Sequence, residues 1–148
     1  MSRLRSILAL ILVLITTFLV SCSSAPTAKI PDTYTSEKIS QLQVYVEPID
    51  AARQKLATLQ KLIADKNWVD VDTFIHGPLG QLRKDMLGLS RNLLVKDQKQ
   101  AANLAKTVFG HFERLGAAAK DRNATAAVSH FRDAVEDFDA FLNLIPKA

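Results

Sequence analysis

Residues 49–64 read IDAARQKLATLQKLIA, and their apolar positions decide the fold. Ile49, Ala52, Leu56, Leu59 and Ile63 recur at alternating spacings of three and four, with polar residues between them. That is the signature of an α-helix with one buried face. The same phase runs upstream through Tyr45 and Leu42, across Pro48. A proline inside a helix removes one hydrogen bond and crowds the carbonyl four residues earlier, here that of Val44. Two readings of 37–47 stay open. One is a helix kinked at Pro48; the other is an extended segment, because Leu42, Val44 and Val46 also alternate with Gln43, Tyr45 and Glu47.

Three further helices follow the turn Asp65-Lys66-Asn67. The second carries Ile75, Leu79, Leu82, Met86, Leu89 and Leu93 at the same spacing. Gly77-Pro78 interrupts it without breaking the phase, which predicts a kink; a short helix ending at His76, with Pro78 opening another, is the alternative. Asp97-Gln98-Lys99-Gln100 has the form of a capping box and predicts the start of the third helix. Its stripe is Ala101, Leu104, Val108, His111, Leu115 and Ala118. After the polar turn Lys120 to Asn123, the fourth shows Ala124, Val128, Phe131, Val135, Phe138, Leu142 and Ile145, and Pro146 ends it. Short turns between long amphipathic helices predict an all-α fold, an antiparallel up-down-up-down four-helix bundle over 36–148. Trp68 at the head of the second helix reads as an aromatic plug for one end.

The chain ahead of the bundle has a different character. Arg3 and Arg5 precede an uncharged run from Ile7 to Val20, followed by small residues. As a helix that run reaches only about 21 Å, against roughly 30 Å of bilayer hydrocarbon. It therefore reads as a signal peptide, residues 1–21. Leu19-Val20-Ser21-Cys22 has the form of a lipobox, and Cys22 is the single cysteine of the chain. An unpaired thiol in an exported protein is explained by lipidation at Cys22. Residues 22–35, with Pro26 and Pro31 among Ser, Thr and Ala, read as a tether. Arg3 and Arg5 supply two of the four net positive charges of the whole chain. The small remainder gives no case for nucleic acid.

Several stretches together resemble the PsbQ family of extrinsic photosystem II proteins, in its cyanobacterial lipoprotein form. They are the lipobox, the tether, Trp68, the run from Phe74 to Gly80 (FIHGPLG) and the ending from Phe138 to Pro146 (FDAFLNLIP). The likeness covers essentially the whole chain, and FIHGPLG is its most distinctive piece. It implies a four-helix bundle in the thylakoid lumen, bound to photosystem II lumenal subunits and to the membrane through its lipid. It also implies a stabilising or assembly role at the oxygen-evolving complex, with no catalysis and no required cofactor. Plant members lack the lipid and carry a longer proline-containing N-terminal region, so their docking details do not transfer to residues 23–35.

The residues themselves show no nucleotide loop, no nucleophile motif, no thiolate metal site and no Cys-x-x-Cys-His. Two features are left as candidate sites. Counting along an up-down bundle places His76, His111 and His130 at nearly one level, with Asp72 and Asp133 one helical turn from His76 and His130. Imidazole plus carboxylate suits zinc or copper, here as adventitious zinc; the competing reading is three separate boundary histidines. Between residues 81 and 114 seven Lys and Arg face three Asp and Glu, and Arg83, Lys84 and Arg91 share one side of the second helix, a candidate docking face. The fourth helix is opposite in sign, with Asp133, Glu136, Asp137 and Asp139. The alternative function is a lipid-anchored periplasmic bundle that binds metal, or haem between Met86 and a histidine.

Overall fold

The structure is a computed structural model and describes residues 32–147. Among them are five α-helices and no strand: α1 (Ser36–Ala64), α2 (Trp68–His76), α3 (Leu82–Asn92), α4 (Val95–Lys120) and α5 (Ala124–Asn143). The α4–α5 pairing is the most extensive. α1 packs on α2, α3 and α5, while α4 also covers α2 and α3.

α1 runs unbroken through Pro48. Leu42, Val46, Ile49, Leu56 and Leu59 are buried, whereas Val44 is 73% exposed. This excludes the extended alternative, since a strand would place Leu42, Val44 and Val46 on one face. Val44 and Pro48 both face solvent, so water can reach the carbonyl that Pro48 leaves without a donor. Both predicted tight turns are present and share one construction. Lys66 (φ 54°) and Arg122 (φ 52°) take left-handed backbone. Asn67 and Asn123 then cap α2 and α5 by accepting from the amides of Asp70 and Ala126.

Gly77-Pro78 does not kink one helix but separates two. α2 stops at His76, and the chain turns until α3 opens at Leu82, so Pro78 is not the first residue of the next helix either. The amides of Gly77, Leu79, Gly80 and Leu82 go to Thr73, Phe74, Gly77 and Leu79, a mixture of turns rather than a helical ladder. A Cβ at residue 80 would lie 2.7 Å from the His76 carbonyl oxygen, so this return needs Gly80. The apolar phase survives because Ile75, Leu79, Leu82 and Met86 are all buried despite the break.

Two other expectations are corrected. α4 begins at Val95, capped by Leu94 without a side-chain bond, so Asp97-x-x-Gln100 is not a capping box. Asp97 instead accepts from the Tyr34 hydroxyl at 2.8 Å, and Gln98 donates to the carbonyls of Arg91 and Leu93. On α5 the stripe is rotated. Ala127, Ala134, Phe138 and Phe141 are buried, whereas Val128 is 56% exposed and Phe131, Val135 and Leu142 lie at the boundary. Small alanines at the centre let α5 approach α4 closely, and the bulkier residues flank the contact. Trp68 is partly buried against the core, as an end plug requires.

Candidate functional site

The α4–α5 hairpin sets His111 against His130. His111 lies nine residues before Lys120 and His130 seven after Asn123, so the two climb to a similar height from the same turn. Their ring centroids are 6.3 Å apart at a tilt of 38°. One ligating atom each from His111, His130 and Asp133 falls within 4.8 Å of the others. His76 and Asp72 are not part of this group. His76 ends α2, its side chain 69% exposed, with Nε2 3.5 Å from Asp72 Oδ1. The similar height of His111 and His130 was readable by counting; the direction of each side chain was not.

His111 is already engaged at both nitrogens. Arg114 Nη2 lies 3.0 Å from Nδ1, and Asp137 Oδ2 lies 3.2 Å from Nε2. A guanidinium only donates, so Nδ1 accepts and Nε2 carries the proton toward Asp137. The Nδ1 of His130 is buried without a hydrogen-bond partner among the described residues. A divalent ion held by His130 and Asp133 would gain His111 only by displacing Arg114 or Asp137. In the sequence Asp137 was counted only among the acids of the fourth helix and not with the histidines, although its spacing of seven from His130 puts both on one helix face.

Arg83, Lys84 and Arg91 are all exposed on α3. Arg83 is the most fixed of them: its guanidinium lies 4.9 Å over the Phe109 ring and donates to Glu113 of α4. From residue 81 to 120, eight Lys and Arg stand against three Asp and Glu, while α5 carries four acids and one arginine. Of the α5 acids, Asp139 is bound by Arg53 of α1 in a two-pronged pair, Nε to Oδ1 at 2.6 Å and Nη2 to Oδ2 at 2.8 Å. That hydrogen bond holds the Asp139 carboxyl below its ordinary range and raises the Arg53 guanidinium.

Two surface grooves bear on this surface. One, of about 370 Å³, lies between the end of α2, the start of α3 and the end of α4. The other, of about 570 Å³, lies between α1 and α5, over Leu56 and Phe131. Cys22 lies outside the described residues. Asp32 to Thr35, read from sequence as the end of the tether, are bound to the domain. Lys96 Nζ donates to the Asp32 carbonyl, Tyr34 is tied to Asp97, and Thr35 caps α1.

These features define a small all-helical domain of two-signed surface charge, with one histidine–carboxylate cluster among the described residues. The chain belongs to the PsbQ family: the profile of that family, described as oxygen evolving enhancer protein 3, matches residues 2–146. It is 65% identical over 149 residues to CyanoQ of Synechocystis sp. (strain ATCC 27184 / PCC 6803 / Kazusa), covering 100% of this chain and 99% of that protein.

Proposed function

We propose that this chain is a non-enzymatic extrinsic subunit that stabilises, or assists assembly of, the photosystem II oxygen-evolving complex on the lumenal membrane face. The observation that carries the proposal is membership of the oxygen-evolving enhancer family along nearly the whole chain. The architecture suits the role: α2 and α3 together occupy one position of an up-down-up-down four-helix bundle. The working surface is the basic side of α3 and α4, where Arg83, Lys84 and Arg91 point to solvent. Such a face steers association with an acidic surface and is screened by salt.

Reversing all three charges to glutamate is expected to weaken rebinding to photosystem II cores lacking this subunit by about tenfold or more at low ionic strength. The melting temperature should change little, because exposed charges contribute little to stability. Titration of rebinding against salt checks this. Binding that is indifferent both to the reversals and to salt would leave the face merely solvated.

Membrane attachment is assigned to Cys22. A single acyl chain holds a protein only marginally, whereas the diacylglyceryl group of a bacterial lipoprotein holds it stably. The intact mass of the native chain is expected to correspond to residues 22–148 plus lipid. The bare mass of that segment would remove the anchor.

A further inference from the structure

The groove between α2, α3 and α4 is a product of the Gly77-Pro78 break. The chain leaves the helical path there, and Gly116 on α4 has no side chain to fill the space beneath it. A Cβ on Gly116 would meet only Ile75 Cδ1, at 3.7 Å. The floor is apolar, formed by Ile75, Leu79 and Phe112, and the rim is charged, with Arg83, Lys120 and Glu113. Arg83 stands at the mouth, held by the Phe109 face and Glu113. Its Nε and Nη1 have no protein partner among the described residues. Lys120 approaches Asp72 only to 3.9 Å, too far for a hydrogen bond.

We propose that this cleft receives a bulky apolar side chain from a protein partner, with a carboxylate of the same segment bound by Arg83 and Lys120. The proposal rests on the subunit reading above and deepens it. Charge selects the occupant: Glu113 is the one carboxylate lining the cleft, and the surrounding α3–α4 surface is strongly basic. Shape selects the anchor. An apolar floor with Arg83 and Lys120 at its rim gains little from a purely charged segment and much from one that buries a side chain between them. Long-range attraction brings the surfaces together, while an anchor in a cleft fixes their register.

Ala117 is exposed on α4 and lines the cleft, so Ala117→Trp fills it without changing charge. Rebinding of the full-length lipidated chain to photosystem II cores lacking the subunit is expected to weaken about tenfold. Unlike the effect of charge reversal, this loss should persist at high salt. Ala57→Trp, which fills the α1–α5 groove instead, should bind as wild type. Thermal melting reports whether Ala117→Trp remains folded; if it does not, Lys120→Glu takes its place and should weaken rebinding at low salt. Wild-type rebinding by the folded cleft variant overturns the proposal. So does loss, on filling the cleft, of binding to vesicles of phosphatidylglycerol and phosphatidylcholine, which would assign the cleft to lipid. If the wild-type chain itself is not retained by the cores, the subunit reading falls first and the cleft assignment falls with it.

Discussion

Replacing Phe138 by alanine is expected to destabilise the domain by about 3–5 kcal/mol. Phe138 is fully buried on α5. One turn away on the same face lie Ala134, too small to collapse into the space the ring leaves, and Phe141, itself fully buried. Removal therefore costs both the transfer of the ring and the cavity that remains. Set against a typical stability of roughly 5–15 kcal/mol, a loss of that size brings the domain close to unfolding. Val128→Ala, in the same helix, should change stability by no more than about 0.5 kcal/mol, because Val128 is 56% exposed. Urea melts of the two variants check this. A cost above about 1 kcal/mol for Val128→Ala would instead place Val128 in the core, on the face its sequence stripe suggests.

That contrast shows how far the sequence could be read. The existence of the helices was legible, because Leu42, Ile49, Leu56 and Leu59 repeat in phase over many turns and all are buried. So were the turns, where Asn67 and Asn123 offer caps. The rotation of α5 was not. Val128, Phe131, Phe138 and Leu142 fall on one apolar stripe, and Ala127, Ala134 and Phe141 beside it widen the stripe into a broad apolar sector. The choice of its centre falls to close packing, which favours alanine. At Gly77-Pro78 the favoured kink was wrong, while the alternative of a helix ending at His76 held. Phase is a property of side chains and the break a property of the backbone: a proline nitrogen that cannot donate and a return at Gly80 that tolerates no Cβ. Asp97 was misread because its real partner, Tyr34, is distant in sequence. The similar height of His111 and His130 followed from counting along one hairpin, whereas their facing each other did not. The separation of His76 depended on which way α2 presents its last residue, which counting along the chain leaves open.

Tyr34→Phe is the second large change expected. The Tyr34 hydroxyl donates to Asp97 at 2.8 Å and accepts from the Leu94 amide at 3.1 Å. Its loss leaves a backbone donor at the N-terminus of α4 and a carboxylate without their partner, a cost of about 1–3 kcal/mol. The same residue sets an alkaline limit. Burial, opposed by the Leu94 amide and reinforced by Asp97, pushes the phenol up from 10.0 to about 12. Because the folded value lies above the unfolded one, the protonated phenol contributes stability fully below pH 10. That contribution is lost as pH rises toward 12. Wild type should therefore lose stability across this window, and Tyr34→Phe should show a shallower decline there. Denaturant melts at pH 9 and pH 11.5 would make the comparison. Parallel pH profiles would remove Tyr34 from the account.

The clasp that Tyr34 makes also fixes where a leash would begin. It grips the chain beside the α3–α4 connection, so any leash from a lipid at Cys22 would end by Asp32. With lipid at Cys22, the ten residues from there to Asp32 span at most about 35 Å when fully extended. Under the proposed anchoring, a domain so confined would search a thin layer over the membrane, and its local concentration near a membrane-bound complex would reach roughly the millimolar range. Weak intrinsic affinity then suffices for occupancy. Variants of the basic face or the cleft should accordingly show larger defects with detergent-solubilised cores than in intact membranes, where the leash compensates for the lost contacts.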